Sequence, residues 1–303
     1  MRRLPALLLA GMLLVPALAA CSSDDGDAGP TPSASAGSPS PSPTMGTGRF
    51  PQYVALGDSY TAAPGVPTQD PNDGCQRSSS NYPNLVATHF TGSALIDVSC
   101  SGADTTALVG VQTTADGVVH PAQFDPLSKR TSLVTIGIGG NDEGIASLLF
   151  AGCLGVAQSD PTGSPCADSQ RTKVETALRS LRSTLTAAFK GIVNRAPKAT
   201  VVAVGYPQII PASGTCDALP IAEGDVAFAR EINQGLDDDV KAAAAAAGIE
   251  FADVWSATEG HDICSDDPWI NGAQNAPGKA IPFHPFAAEQ KAAAQAVIDV
   301  LGN

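Results

Sequence analysis

Short runs of β-branched and aliphatic residues alternate with longer stretches of helical periodicity, from about residue 50 to the end of the chain. Residues 131–138 (TSLVTIGI) and 200–205 (TVVAVG) are apolar almost throughout, as strands buried on both faces are. Residues 52–56, 94–98 and 250–254 read as shorter strands. Between them, residues 168–196 place Val174, Leu178, Leu181, Leu185, Ala188 and Ile192 on one helical stripe, with Asp168 as N-cap and Pro197 as stop. Further helices are predicted over 81–90, 222–247 and 285–301, and no internal repeat is visible. Strands separated by helices argue for an α/β fold, a parallel sheet with helices on both faces. Four segments (62–80, 143–167, 207–218 and 256–283) are long and irregular, and each holds one or two cysteines. Loops of that length are uncommon unless functional or tied down. Most follow strands, so they are expected to gather on one edge of the sheet as the walls of a pocket.

The start of the chain has a different character. Arg2 and Arg3 precede an apolar stretch over 7–18, too short for a comfortable membrane span and laid out like a secretory leader. Leu18-Ala19-Ala20-Cys21 resembles the lipobox of bacterial lipoproteins, which implies that residues 1–20 are removed and Cys21 is lipidated. Residues 21–48 are rich in Ser, Pro and Thr and cannot bury enough surface to offset ordering, so a disordered tether is expected. Residues 49–303 suffice for one α/β domain.

The formal net charge is −13, and loss of Arg2 and Arg3 with the leader makes it two units more negative. So acidic a body offers no footprint for nucleic acid and is not drawn to anionic lipid. Membrane contact is expected through the lipid anchor alone, the location extracytoplasmic, anchored or secreted, and the protein a monomer. With Cys21 assigned to lipid, the seven cysteines leave an even number, which in an exported domain suggests three disulfides. Spacing leaves the pairing open, although joining neighbours in sequence closes the shortest loops. No pair has the C-x-x-C spacing of a zinc or redox site.

The candidate chemistry sits at strand ends. Residues 52–56 run into Gly57-Asp58-Ser59, which sets a serine hydroxyl where open α/β sheets bind their ligands. Alone, such a triplet is an ordinary turn. A serine nucleophile needs an adjacent base, and the chain has four histidines. His89 and His120 read as surface residues. His261, in Gly260-His261-Asp262, and His284, before the last helix, both remain candidates. Acyl transfer also needs donors for the oxyanion. Gly102 follows the strand at 94–98, and its N–H can approach a substrate unobstructed. Asn141, after the 131–138 strand, carries a directed amide. No histidines or acidic clusters have metal-ligand spacing, and Gly137–Gly140 lacks a dinucleotide fingerprint. Neither metal nor other cofactor is expected.

In order and spacing, Gly57-Asp58-Ser59-Tyr60, Ser101-Gly102, Gly139-Gly140-Asn141-Asp142 and His284-Pro285 resemble the blocks of the SGNH hydrolases, also called GDSL-type esterases and lipases. The six remaining cysteines and Gly260-His261-Asp262 are similar to the secreted actinomycete branch with three disulfides. The resemblance implies a three-layer α/β/α sandwich with a central parallel, flavodoxin-like sheet. It implies that Ser59 is the nucleophile and His284 the base, with Gly102 and Asn141 in the oxyanion hole. It also implies the sequential pairs Cys75–Cys100, Cys153–Cys166 and Cys216–Cys264, and a small ester or lipid as substrate. One departure stands out. The family usually has Asp three residues before the histidine, and here Ile281 holds that position. The similar secreted branch uses a main-chain carbonyl near that position, so the Ile281 carbonyl is expected to orient His284. Asp262, Asp266 or Asp267 would be substitutes. A polysaccharide deacetylase of the same fold and a lipid-anchored binding protein without catalysis are the rival readings.

Overall fold

The structure, a computed structural model, describes residues 45–302. The expected leader, the Cys21 lipidation site and most of the tether lie outside the described residues. In chain order, β1 (Gln52–Gly57) leads directly into the short helix α1 (Ser59–Ala62), followed by α2 (Tyr82–His89) and β2 (Ala94–Asp97). The two-residue strands β3 (Gln112–Thr113) and β4 (Val119–His120) form a separate antiparallel hairpin. Then come β5 (Leu133–Gly137), α3 (Ile145–Ser147), a π-helical turn (Leu148–Gly152), α4 (Cys153–Ala157) and the long α5 (Pro165–Arg195). The chain closes with β6 (Thr200–Val204), α6 (Val226–Ala247), β7 (Glu250–Ala252), α7 (Val254–Ala257) and α8 (Ala287–Leu301).

The main sheet has the order β2-β1-β5-β6-β7, and every neighbouring pair is parallel. Strand residues alternate between two cores because successive side chains point to opposite faces. Val54, Leu56, Val134 and Ile136 pack towards α5 and α6. Tyr53, Ala55, Leu133 and Val202 pack on the other side against α2 and α8. The result is a three-layer α/β/α sandwich. Its strand order reverses direction at β1 and β5, the switch point where such sheets open a crevice at their carboxyl ends.

The expected strands and long helices are all present, with shifts at their ends. Helix α5 begins at Pro165, and Asp168 lies inside it rather than capping it. Proline costs no hydrogen bond in a first turn, and the Asp225 carboxylate accepts from the N–H groups of Cys166 (2.9 Å) and Ala167 (2.8 Å). The final helix begins at Ala287, so His284 sits in the turn before it. Segment 143–167 is largely helical, not irregular. Its stretch 145–157 is apolar almost all round and interrupted by Gly152 and Gly155, so it carries no one-sided period to read.

The disulfides are Cys75–Cys100, Cys153–Cys166 and Cys216–Cys264, the sequential set. The second fastens α4 to the start of α5. Closing a loop of that size stabilises by roughly 3 kcal/mol in the chain-entropy model. No helix among the described residues is long and apolar enough to cross a membrane.

Candidate active site

Backbone bonds hold the three strand ends together before any side chain is considered. The Asp58 N–H donates to the Gly137 carbonyl (2.9 Å), tying the end of β1 to that of β5. The Cys100 N–H donates to the Gly57 carbonyl (3.0 Å), tying in the loop after β2. Gln123 closes the same point from the side: its Oε1 accepts from the Gly57 N–H (2.8 Å) and its Nε2 donates to the Gly57 carbonyl (3.0 Å). Gly57 has φ +152°, and a Cβ there would lie 2.5 Å from the Gly137 oxygen, so only glycine fits. The chain then turns into α1 with Asp58 as N-cap, its Oδ1 accepting from the Tyr60 N–H (2.8 Å).

Ser59 is therefore the first residue of a helix at the switch point, 8% exposed. Its Oγ lies 2.8 Å from His284 Nε2, across 225 residues of sequence. His284 Nδ1 lies 2.7 Å from the Pro282 carbonyl, to which it donates. This corrects the expectation for Ile281, whose carbonyl instead accepts from the backbone N–H of His284 (3.3 Å). The cause is a β-turn over residues 281–284. Proline at its second position and Phe283 at φ +61° at its third fit a type II turn, in which the first carbonyl closes the turn and the second is left free. Tyr60 Oη donates to the Phe283 carbonyl (2.6 Å) and holds the turn against α1. Gln290 ties α8 to α1 and α2, with Nε2 on the Tyr60 carbonyl (2.9 Å) and Oε1 on the Tyr82 N–H (2.8 Å). Burial pulls the His284 pKa below its ordinary value, and the Pro282 carbonyl offsets part of that shift.

Gly102 has φ +78° and is exposed, with no heavy atom nearer than 4.0 Å to where a Cβ would stand. Conformation, not crowding, requires glycine there. Asn141 Nδ2 donates to the Ala103 carbonyl (2.9 Å), which fixes the amide beside the glycine loop and leaves its second proton free. Asp142 strengthens the junction by accepting from the N–H (3.1 Å) and hydroxyl of Thr105.

The remaining candidates have other partners. His261 stacks on Trp269 with ring centroids 3.6 Å apart, and its Nδ1 faces the Asp267 carbonyl (2.8 Å). Asp262 Oδ1 accepts from the Cys264 N–H (2.8 Å), and Asp267 Oδ2 from Trp269 Nε1 (3.2 Å). His120 donates to the Asp73 carbonyl (2.6 Å).

The sequence reading missed Gln123, Tyr60, Gln290 and Tyr206. The Tyr206 hydroxyl accepts from the Gly140 N–H (2.8 Å) and donates to Asp58 Oδ2. Burial pushes the Asp58 carboxyl up to about 7, against the lowering effect of its bonds from Tyr206 and Tyr60. Tyr60, Gly140 and Tyr206 border a small apolar cavity that is otherwise lined chiefly by Ile145, Leu149, Phe150, Ile209, Ile232 and Leu236. Phe150 stacks on Phe283 (centroids 4.4 Å), so the cavity wall meets the turn that carries His284.

A sequence model described as "GDSL-like Lipase/Acylhydrolase family" matches residues 55–292. The chain is 38% identical to "Lipase 2" of Streptomyces coelicolor over 263 residues, covering 82% of this chain and 85% of that protein. Among solved structures it is similar to phospholipase A1 from Streptomyces albidoflavus, with a TM-score of 0.69 and 30% identity over 84% of this chain and 99% of the other. The extracellular lipase of Streptomyces rimosus gives a TM-score of 0.68 and 29% identity, over 82% and 99% of the respective chains. The order of blocks, the sheet and these similarities agree: the chain belongs to the GDSL-like lipase/acylhydrolase family.

Proposed function

We propose that this carboxylic ester hydrolase works through a Ser59 acyl-enzyme on substrates with an aliphatic acyl group. The observation that carries the reading is the Ser59 Oγ to His284 Nε2 contact, with Nδ1 already donating to the Pro282 carbonyl. That bond leaves Nε2 unprotonated and aimed at the hydroxyl. His284 takes the Ser59 proton as Oγ attacks the ester carbonyl. The N–H groups of Ser59 and Gly102 and the Asn141 amide hold the oxyanion. His284 then protonates the leaving alcohol, and water releases the acid by the same steps in reverse. The mostly apolar cavity bordered by Tyr60 and Gly140, the neighbours of Ser59 and Asn141 in sequence, favours an aliphatic acyl group over a sugar-borne acetyl group. The similarity to lipases and to a phospholipase A1 supports lipid acyl esters as the class.

The test is hydrolysis of p-nitrophenyl butyrate together with labelling by a fluorophosphonate. Wild type should do both, and Ser59→Ala neither; labelling that persists in Ser59→Ala would refute the assignment.

Three disulfides fit an extracytoplasmic location. The proposed organisation is a leader over 1–20, a tether over 21–48 anchored through lipid on Cys21, and a monomeric hydrolase domain over 49–303. In the bacterial host, wild type should enter the detergent phase of a Triton X-114 partition and Cys21→Ala the aqueous phase. Equal partitioning of the two would count against the anchor.

A further inference from the structure

We propose that Tyr206 is a positioning residue that holds Asn141 in line with the turn that carries Ser59. The inference rests on the oxyanion role given to Asn141 above.

Tyr206 lies just beyond β6, a strand whose end contributes nothing to the four sequence blocks, and is 2% exposed. Its hydroxyl has one donor in and one acceptor out. Gly140 N–H donates to it at 2.8 Å, and its own proton goes to Asp58 Oδ2. Gly140 immediately precedes Asn141, and Asp58 immediately precedes Ser59. One oxygen therefore spans the residues flanking the nucleophile and the oxyanion donor. The other Asp58 oxygen caps α1 through the Tyr60 N–H, so the span continues into the helix that carries Ser59.

The surroundings are built to hold that oxygen still. The Tyr206 N–H donates to Asp237 Oδ1 (2.8 Å), anchoring the backbone. Tyr60 packs against the ring with centroids 5.2 Å apart. At Gly140 a Cβ would stand 3.2 Å from the Tyr206 hydroxyl oxygen, so the absent side chain permits the close approach. The Ala103 carbonyl holds Asn141 only from the side of the glycine loop. Tyr206 supplies the constraint from the side of the nucleophile. Phenylalanine would keep the packing but leave a buried N–H and a buried carboxyl oxygen unpaired, and the strand end would move to satisfy them. An oxyanion donor out of line loses transition-state stabilisation, whereas substrate binding is little affected.

The experiment uses the full chain and p-nitrophenyl butyrate, with Tyr206→Phe, Asn141→Ala and the double variant. Tyr206→Phe should lower kcat roughly 10- to 100-fold, as an ångström-scale misplacement does, with KM within about twofold. In the Asn141→Ala background the same change should cost no more than about twofold, because the group it positions is gone. Asp58→Asn tests the other end of the bridge if Tyr206→Phe does not fold, and should show the same loss of effect in that background. An equal fall in kcat in both backgrounds, or a rise in KM alone, overturns the positioning role while leaving the oxyanion assignment intact. Full activity in Asn141→Ala overturns both.

Discussion

His284 is held at both ring nitrogens, by the Ser59 hydroxyl and the Pro282 carbonyl, in a buried setting that disfavours its charged form. A base whose pKa is lowered stays neutral further into acid. The acid limb of kcat/KM on p-nitrophenyl butyrate should therefore have its midpoint below 6.5, the ordinary histidine value. A midpoint at or above 6.5 would contradict the buried setting described here. At this scale the pairing of Ser59 with His284 was legible, because both belong to blocks whose order is itself informative. The acceptor on Nδ1 was legible as a main-chain carbonyl but misplaced by one residue, since turn type, not residue identity, decides which carbonyl faces the ring. Tyr206 and Gln123 were invisible for another reason. A tyrosine after a buried strand and a glutamine in a loop have the composition of ordinary core and surface, and only proximity in the fold gives them partners.

Elements, not single residues, shape the apolar cavity. The α3–π–α4 stretch supplies Ile145, Leu149 and Phe150, and α6 supplies Ile232 and Leu236. Ile232→Phe would fill the inner end of the cavity from a rigid helix. Activity on p-nitrophenyl decanoate should fall at least about tenfold relative to the butyrate, at an overpacking cost of roughly 1–3 kcal/mol in stability. An unchanged decanoate-to-butyrate ratio would remove the cavity from acyl binding. The sheet and the long helices were readable because their periods are long and one-sided. The cavity wall was not, since a helix that is apolar all round and broken by glycines has no period. The helical nature of 145–157 emerges only from its packing on α5 and α6 and its disulfide to Cys166.

At the scale of the whole molecule, several carboxyl groups among the described residues are buried with no salt bridge to hold their charge. Glu289 in α8 is 2% exposed and bonds through Oε2 to the side chain of Gln290, and burial pushes its pKa to about 8 from 4.5. Asp237 is pushed in the same way to about 7. A raised carboxyl pKa means that the folded state holds a proton that the unfolded state has released. Stability from Glu289 is thus fully present below about pH 4.5 and is lost as pH rises through 8, on the order of a few kcal/mol. Glu289→Gln cannot ionise and should gain on wild type between pH 5 and pH 8, seen as a shift in relative urea midpoints. A difference that does not change with pH would show that folding leaves the Glu289 pKa where the unfolded chain has it. The acidic composition was plain in the sequence, but which carboxyls the fold would bury was not, because Glu289 sits in an ordinary helical stretch of small residues.

The carbonyl that steadies His284 also changes how the site can be lost. An orienting aspartate can be destroyed by one nucleotide change. Every codon that could stand at position 282 still encodes a carbonyl, so no substitution there deletes the acceptor itself. Loss of that acceptor must instead come through the path of the chain, by a replacement at Pro282 or Phe283 that swings the peptide plane away. What has to be preserved from one generation to the next is the shape of a turn.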